Sequence, residues 1–131
     1  MERKILNPNS LHTPFSAYSH GIMIDGAKRL IFCAGQVAGD KDGNIIGKGD
    51  FEAQGEQVFA NVADVLAEAG ATLSDVVKAT IFVVGREHAQ AARDLCGRHW
   101  DKDNPPANTL VVCAGLADPD FLVEVQAIAV V

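Results

Sequence analysis

The chain has 131 residues, of which 48% are hydrophobic and 21% are charged, and its net charge is -6. This length and composition suit a single globular domain over residues 1–131 and exclude a disordered chain. Because it has no basic run to follow a phosphate backbone and no apolar run near the roughly 20 residues of a membrane span, neither nucleic acid nor a membrane is an expected partner.

The N-terminal part of the chain predicts strands. A short strand is expected near Lys4–Leu6, and longer ones at Ser19–Ile24 and Arg29–Gly35. The Asp25-Gly26 pair between the last two is a hairpin signal, so these strands are expected to pair with each other.

A helix and a buried strand are predicted next. Apolar residues at helical spacing indicate a helix over Phe51–Glu68, with Asp50 as its N-cap and Gly70 as its C-terminal stop. Thr72–Asp75 resembles a cap that leads into one short turn. The β-branched run Val76–Val84 then predicts a buried strand.

The C-terminal part predicts a second helix and two more strands. The helix fits Glu87–Trp100, and the Pro105-Pro106 pair prevents any continuation. The strands are expected at Asn108–Ala114 and Phe121–Val131. The order of elements predicts an α/β (α+β) sandwich with one mixed sheet and two helices on one face. The strands are apolar on both faces, so we expect self-association through the face that the helices leave open.

Cysteines and histidines indicate neither a disulfide framework nor a metal site. Cys33, Cys96 and Cys113 are odd in number and far apart, and no apolar signal segment opens the chain. A reducing, cytoplasmic location is therefore expected. The four histidines lack the helical spacing of metal ligands, and no metal or other cofactor is predicted.

Glu124 is the only ionisable residue in the last predicted strand. A carboxylate there must face water, find a partner or shift its pKa, because an unpaired buried charge is costly. One interpretation is an ordinary solvated strand face that Glu124 shares with Gln126. The other is a proton-transfer site.

Three further residues are candidates for the same site, and each has an ordinary structural alternative. Tyr18 precedes a strand but is also a packing residue. Gly35 ends a strand, where backbone amides can approach a ligand, but it also suits a bulge. Asn108 opens a strand after the prolines and is also a turn residue. With Glu124 expected in the strand that faces Asn108, the set suggests acid–base chemistry.

Several segments together resemble the Rid family, the reactive intermediate deaminases that are also called the YjgF family. They follow the family order over nearly the whole chain and are Ser16–Gly21, Leu30–Gln36, Val77–Val83, Asn104–Ala107 and Val123–Ala129. The closing Val-Glu-Val-Gln-Ala-Ile-Ala pattern and the strand that ends in Gly-Gln are the most specific parts.

The resemblance implies a chorismate-mutase-like fold assembled as a homotrimer, with small-molecule sites in clefts between subunits. It implies hydrolysis of reactive imines and enamines, such as 2-aminoacrylate, to 2-oxo acids and ammonia without a cofactor. In the family pattern Tyr18 lines the cleft, Ala34 and Gly35 lie near the ligand, and Glu124 positions or activates water.

Asn108 departs from the family pattern, because deaminating members have an arginine there that grips the substrate carboxylate. A bidentate arginine–carboxylate pair is roughly twice as strong as a neutral hydrogen bond. Asparagine has no charge and offers one amide donor group and one acceptor. Either another cation, such as Arg86, Arg93 or Arg98, replaces the arginine, or the substrate presents a neutral polar group to Asn108.

Three functions follow from these patterns. The first is a hydrolytic deaminase in which Glu124 orients water, Tyr18 lines the pocket and Asn108 holds the substrate. The second is a non-catalytic small-ligand-binding or regulatory protein on the same fold, which the change at Asn108 motivates. The third is a ribonuclease or translational inhibitor, which the net charge of -6 disfavours.

Overall fold

The computed structural model describes all residues 1–131 and contains six strands and two α-helices. The strands are β1 (Glu2–Leu6), β2 (Gly21–Asp25), β3 (Leu30–Gln36), β4 (Val76–Val84), β5 (Ala107–Cys113) and β6 (Val123–Val130), and the helices are α1 (Phe51–Ala67) and α2 (Ala89–His99). Short 3-10 turns at Leu73–Asp75 and Arg86–His88 precede β4 and α2.

A mixed four-stranded sheet forms the centre of the molecule, with the strand order β3-β6-β4-β5. β6 runs antiparallel to both neighbours, whereas β4 and β5 are parallel and connected through α2. The buried side chains of β4 and β6 form one core with those of α1 and α2. The predicted α+β sandwich, a mixed sheet with two helices on one face, is confirmed.

The predicted hairpin between the second and third strands is wrong. β2 pairs with β1 in a separate two-stranded sheet, and β3 pairs with the C-terminal strand β6. The chain does turn at Gly26, whose φ is +72°. The next amides, of Lys28 and Arg29, donate to the carbonyl of Val131 at 2.9 and 2.8 Å, so the chain leaves the turn toward β6. A long-range pairing thus replaces the local one.

The first helix begins at the predicted residue and ends at Ala67, one residue before the predicted end. The carboxylate of Asp50 accepts a hydrogen bond from the amide of Ala53 at 3.1 Å, and Gly70 takes a φ of +71° after the helix. The buried stripe of α1 includes Val58, Val62 and Leu66, and it packs against β6 and β3.

The second helix starts two residues later than the sequence predicts. Gly85, with a φ of +90°, leads into the 3-10 turn Arg86–His88 before the α-helical bonds begin at Ala89. Where α2 crosses α1, Gly55 lies against Leu95, and an added Cβ at Gly55 would come within 2.6 Å of that side chain. This close approach fixes how the two helices pack.

Gln54 is a polar side chain inside the core, with no exposed surface. Its amide nitrogen donates to the carbonyl oxygens of Gly47 (3.2 Å) and Asp120 (2.8 Å). Its amide oxygen accepts from the backbone nitrogen of Leu122 at 2.9 Å. Gln54 therefore attaches α1 to the segment that starts β6, two residues before Glu124.

The sheet surface turned away from the helices, which we call the open face, carries both apolar and polar side chains. Its members are Phe32, Ala34, Lys78, Thr80, Phe82, Glu124, Gln126, Ile128, Thr109 and Val111. Phe32 is 73% exposed in the single chain. As expected, the open face has apolar side chains that no other part of the chain covers. Self-association through this face stays a prediction.

Candidate functional site

Glu124 projects from β6 onto the open face. Its strand neighbours Val123 and Val125 are fully buried toward the helices, so the alternation of a strand turns Glu124 the other way. Phe82 of β4 lies beside it on one side. On the other side is Gly35 of β3, where the β3–β6 register shifts between Cys33 and Gln36.

The carboxylate of Glu124 lies directly on the backbone of Gly35. A Cβ added to Gly35 would come within 2.7 Å of Oε2 and 2.8 Å of Cδ. Only glycine leaves room for the carboxylate in this position. Glu124 is half-buried and forms no ion pair or hydrogen bond within the chain, so its oxygens remain available as acceptors.

Ala34 lies near Glu124 and lines a hollow of about 480 Å³ on the open face. Its lining includes the apolar side chains of Phe32 and Ile128 together with Lys78, and Lys78 Nζ donates to Thr109 Oγ1 at 3.3 Å. We call this the face hollow. It is the larger cavity, but it is mostly apolar and holds none of Tyr18, Asn108 or Glu124.

A second cavity, of about 290 Å³, lies at the edge strand β5 and contains Tyr18 and Asn108. We call it the edge cavity, and its principal lining residues are Phe15, Tyr18, Arg93, Cys96, Asn108 and Leu110. It combines aromatic and aliphatic walls with a few polar groups, which is typical of a small-molecule site.

Tyr18 is held at the edge cavity by its neighbour Ser19. The buried Ser19 donates from its amide to the carbonyl of Pro106 (2.9 Å) and from its hydroxyl to the carbonyl of Pro105 (2.7 Å). The Tyr18 oxygen accepts from the amide of Phe15 at 3.2 Å, which leaves its O–H free to donate.

Asn108 points from β5 toward α2. Its Nδ2 donates to Cys96 Sγ at 3.7 Å, whereas its Oδ1 is buried and has no hydrogen-bond partner. Burial raises the pKa of the Cys96 thiol to about 11, although Asn108 partly offsets that rise. Cys96 therefore remains a neutral thiol at pH 7. The unpartnered Oδ1 is enclosed beside the edge cavity, and a buried acceptor without a donor is uncommon in folded proteins.

Tyr18 and Asn108 lie on one part of the molecule, and Ala34, Gly35 and Glu124 on another. The expectation that Glu124 lies in the strand facing Asn108 is wrong, because β4 separates β5 from β6. The two side chains also leave the sheet on opposite faces, since Asn108 contacts Cys96 of α2 and Glu124 is on the open face. A single chain therefore does not bring all five residues onto one ligand.

Of the three arginines considered near the second helix, only Arg93 lines the edge cavity. Arg98 is paired with Glu52 and Glu56 at 2.8 and 3.1 Å on the outer surface. Arg86 lines neither cavity and forms no ion pair. Arg93 forms no ion pair either, and its one side-chain hydrogen bond is a long one, 3.5 Å, to Gln90.

Sequence reasoning did not identify the residues that hold this site in place. Gln54 occupies an i−4 position from Val58 on the apolar stripe, and a glutamine at such a position is a signal of a buried polar network. Ser19 gave no signal, because its partners Pro105 and Pro106 are distant in sequence.

No helix in the structure has the length and apolar character needed to cross a membrane. No three or more histidine, cysteine or acidic side chains are grouped closely enough to hold a metal ion. All three cysteines are free.

Comparisons with known proteins agree on one family. The model of the family described as endoribonuclease L-PSP matches residues 9–131. A RutC family protein of Synechocystis sp. is 34% identical over 131 residues, covering 99% of this chain and 98% of that protein. The structure of the Rid family protein YyfB of Yersinia pestis is 34% identical with a TM-score of 0.84, covering 100% of both chains. YyfA of the same organism and family is 27% identical with a TM-score of 0.72, covering 99% of this chain and 100% of that one.

Proposed function

The chain belongs to the endoribonuclease L-PSP family, also called the Rid family, and on that premise we propose that it is a hydrolytic deaminase of a small imine or enamine. The observation that carries the proposal is the free carboxylate of Glu124 on the backbone of Gly35. A half-buried carboxylate without an internal partner is suited to accept a proton from water.

Glu124 orients a water molecule and accepts its proton as the water oxygen attacks the imine carbon. The carbon then carries a hydroxyl and an amino group, and Glu124 returns the proton to the amine. As the C–N bond breaks, the hydroxyl proton passes to Glu124 and the C=O bond forms, so one protonated imine and one water give one 2-oxo compound and one ammonium ion. The reaction involves no net oxidation or reduction, so it balances without a redox cofactor. An enamine enters the same route after it tautomerises to the imine.

The complete site lies between copies of the chain. Gly35 belongs to the edge strand β3 and Glu124 to the neighbouring strand β6, whereas the edge cavity lies at the opposite edge strand β5. A head-to-tail arrangement, with the β3 side of one copy against the β5 side of the next, unites Glu124 of one copy with Tyr18 and Asn108 of another. Three copies close such a ring as a homotrimer. The exposed Phe32 and Leu30 near β3 are apolar surface that this contact would cover.

The test uses an imine that an amino-acid oxidase generates in solution and follows the release of the 2-oxo acid. We expect the protein to accelerate hydrolysis and Glu124→Gln, which keeps the side-chain shape, to reduce the rate about 100-fold or more. Glu68→Gln, which changes an exposed carboxylate after α1, is the matched control and should leave the rate unchanged. Full activity of Glu124→Gln would refute the proposed role.

A non-catalytic ligand-binding protein is the second candidate, and the state of Asn108 favours it. By the resemblance, deaminating relatives have an arginine at this position of β5. Here the position holds Asn108, whose amide nitrogen already donates to Cys96. Binding of small metabolites in thermal-shift assays, together with no acceleration of any imine hydrolysis, would select this function. The expected cytoplasmic location is common to both candidates.

Although the family bears the name endoribonuclease L-PSP, we do not propose ribonuclease activity for this chain. The net charge is -6 and the edge cavity holds one cation, Arg93. Phosphate-backbone binding requires several cations along a groove.

A further inference from the structure

Arg93 is the one charged side chain among the residues that line the edge cavity. No aspartate or glutamate lines this cavity, and none lies within 4 Å of the guanidinium. The long bond to Gln90 at 3.5 Å leaves most of its five N–H donors free. A positive charge without a partner at the mouth of a small, partly apolar cavity is suited to an anionic ligand.

The position of Arg93 follows from the helix that carries it. Arg93 precedes Cys96 by three residues, so both lie on the same side of α2. Cys96 contacts Asn108, which places the α2 face that carries Arg93 next to the start of β5. The polar side chains at this cavity thus include a guanidinium, the amide of Asn108 and the hydroxyl of Tyr18.

We propose that Arg93 binds the carboxylate of a small 2-imino or 2-oxo acid in the edge cavity, so that the anion-binding charge comes from helix α2 and not from strand β5. The guanidinium binds the carboxylate through two parallel N–H donors, and the Tyr18 hydroxyl donates a further bond. The volume of about 290 Å³ limits the ligand to a small acid.

This inference deepens the proposed function by naming the substrate class, but carboxylate binding is measurable without turnover. Pyruvate is the probe, because it is the stable product-like acid, and pyruvamide is its neutral counterpart. Binding of each to the intact protein is measured by calorimetry at low ionic strength. We expect Arg93→Gln to weaken pyruvate binding about tenfold to a hundredfold, the range for a lost charged hydrogen bond. Arg93→Lys should retain part of the affinity, since it keeps the charge but loses the bidentate geometry.

Arg86→Gln is the matched control, because Arg86 is an exposed arginine near the same helix that lines neither cavity. It should bind pyruvate as the unchanged protein does. Pyruvamide should bind weakly, and with the same affinity in the presence or absence of the Arg93 side chain.

Equal pyruvate binding in Arg93→Gln and the unchanged protein would overturn the inference, as would equal losses in Arg93→Gln and Arg86→Gln. Tighter binding of pyruvamide than of pyruvate would overturn it as well and would assign the cavity to neutral ligands held by Asn108. Failure of the deaminase proposal gives a different result, namely Arg93-dependent pyruvate binding without imine hydrolysis.

Discussion

Replacing Gly35 with alanine tests whether the position of the Glu124 carboxylate determines activity. The new methyl group would meet Oε2 at 2.7 Å and Cδ at 2.8 Å. Carbon atoms in contact prefer about 3.5–4.0 Å, so the carboxylate must move by roughly 1 Å. A displacement of that size at a reacting group costs up to about 100-fold in rate.

The same substitution should change stability little. The atoms that meet the methyl group are the far end of a flexible side chain, which can rotate away without moving β6. Alanine is also favoured over glycine in a strand by about 0.5–1 kcal/mol. We therefore expect the free energy of unfolding to stay within about 1 kcal/mol of the unchanged protein, while the rate of imine hydrolysis falls roughly tenfold to a hundredfold.

Urea unfolding and imine hydrolysis are measured on the same preparation, with Gly39→Ala as the control. A Cβ at Gly39 would have nothing within 4 Å, so this variant should match the unchanged protein in both assays. Undiminished hydrolysis in Gly35→Ala would refute the reasoning. A large loss of stability would also refute it, because the contact would then support the fold and not the carboxylate.

Two further predictions concern buried groups around the site. Gln54→Leu leaves two carbonyl groups and one amide group in the core without a hydrogen-bond partner. The free energy of unfolding measured in urea should therefore fall by about 2–5 kcal/mol. The control Gln57→Leu removes only the hydrogen bond to Asn61, so its free energy of unfolding should fall by less than about 1 kcal/mol. Equal decreases in the two variants would contradict the role given to Gln54 in the core. Burial raises the Cys96 pKa from 9.0 to about 11, so the folded state holds the thiol proton more tightly than the unfolded state. The contribution of this thiol to the free energy of unfolding is fully present below pH 9. It falls by about 2–3 kcal/mol as the pH rises toward 11. Urea unfolding from pH 7 to 11 should show this loss in the unchanged protein and not in Cys96→Ala, and parallel curves would contradict it.

Local signals in the sequence were sufficient for most elements of the fold. The bounds of β4 match the run Val76–Val84, and Asp50 caps α1 as predicted. The hairpin prediction failed because Asp25-Gly26 specifies a turn but not the partners of the strands that enter and leave it. Pairing of β3 with β6 depends on the C-terminal residues, some 100 positions away in the chain.

For the candidate site, the sequence provides candidate residues but not their geometry. The residue pattern indicated Tyr18, Asn108 and Glu124, the resemblance implied roles for them, and those roles stay predictions. Which sheet face each side chain takes depends on the register of β5 and β6 with β4, and one residue of shift reverses the face. The place of Arg93 likewise depends on the rotation of α2 about its axis, which tertiary packing sets. Periodicity showed that α2 has an apolar face but not which cavity its polar face borders.

The separation of Glu124 from the edge cavity by β4 would have a genetic consequence in the proposed ring. In that head-to-tail arrangement, every complete site would take its carboxylate from one copy and its cavity from the next. A cell with one allele defective at Glu124 and a second defective at Arg93 would assemble mixed rings. With equal expression and random mixing, about one quarter of all sites would join two intact halves. Two inactive alleles would then complement each other. A cell that makes only a chain with both changes would have no active site, because neither half of any site would be intact.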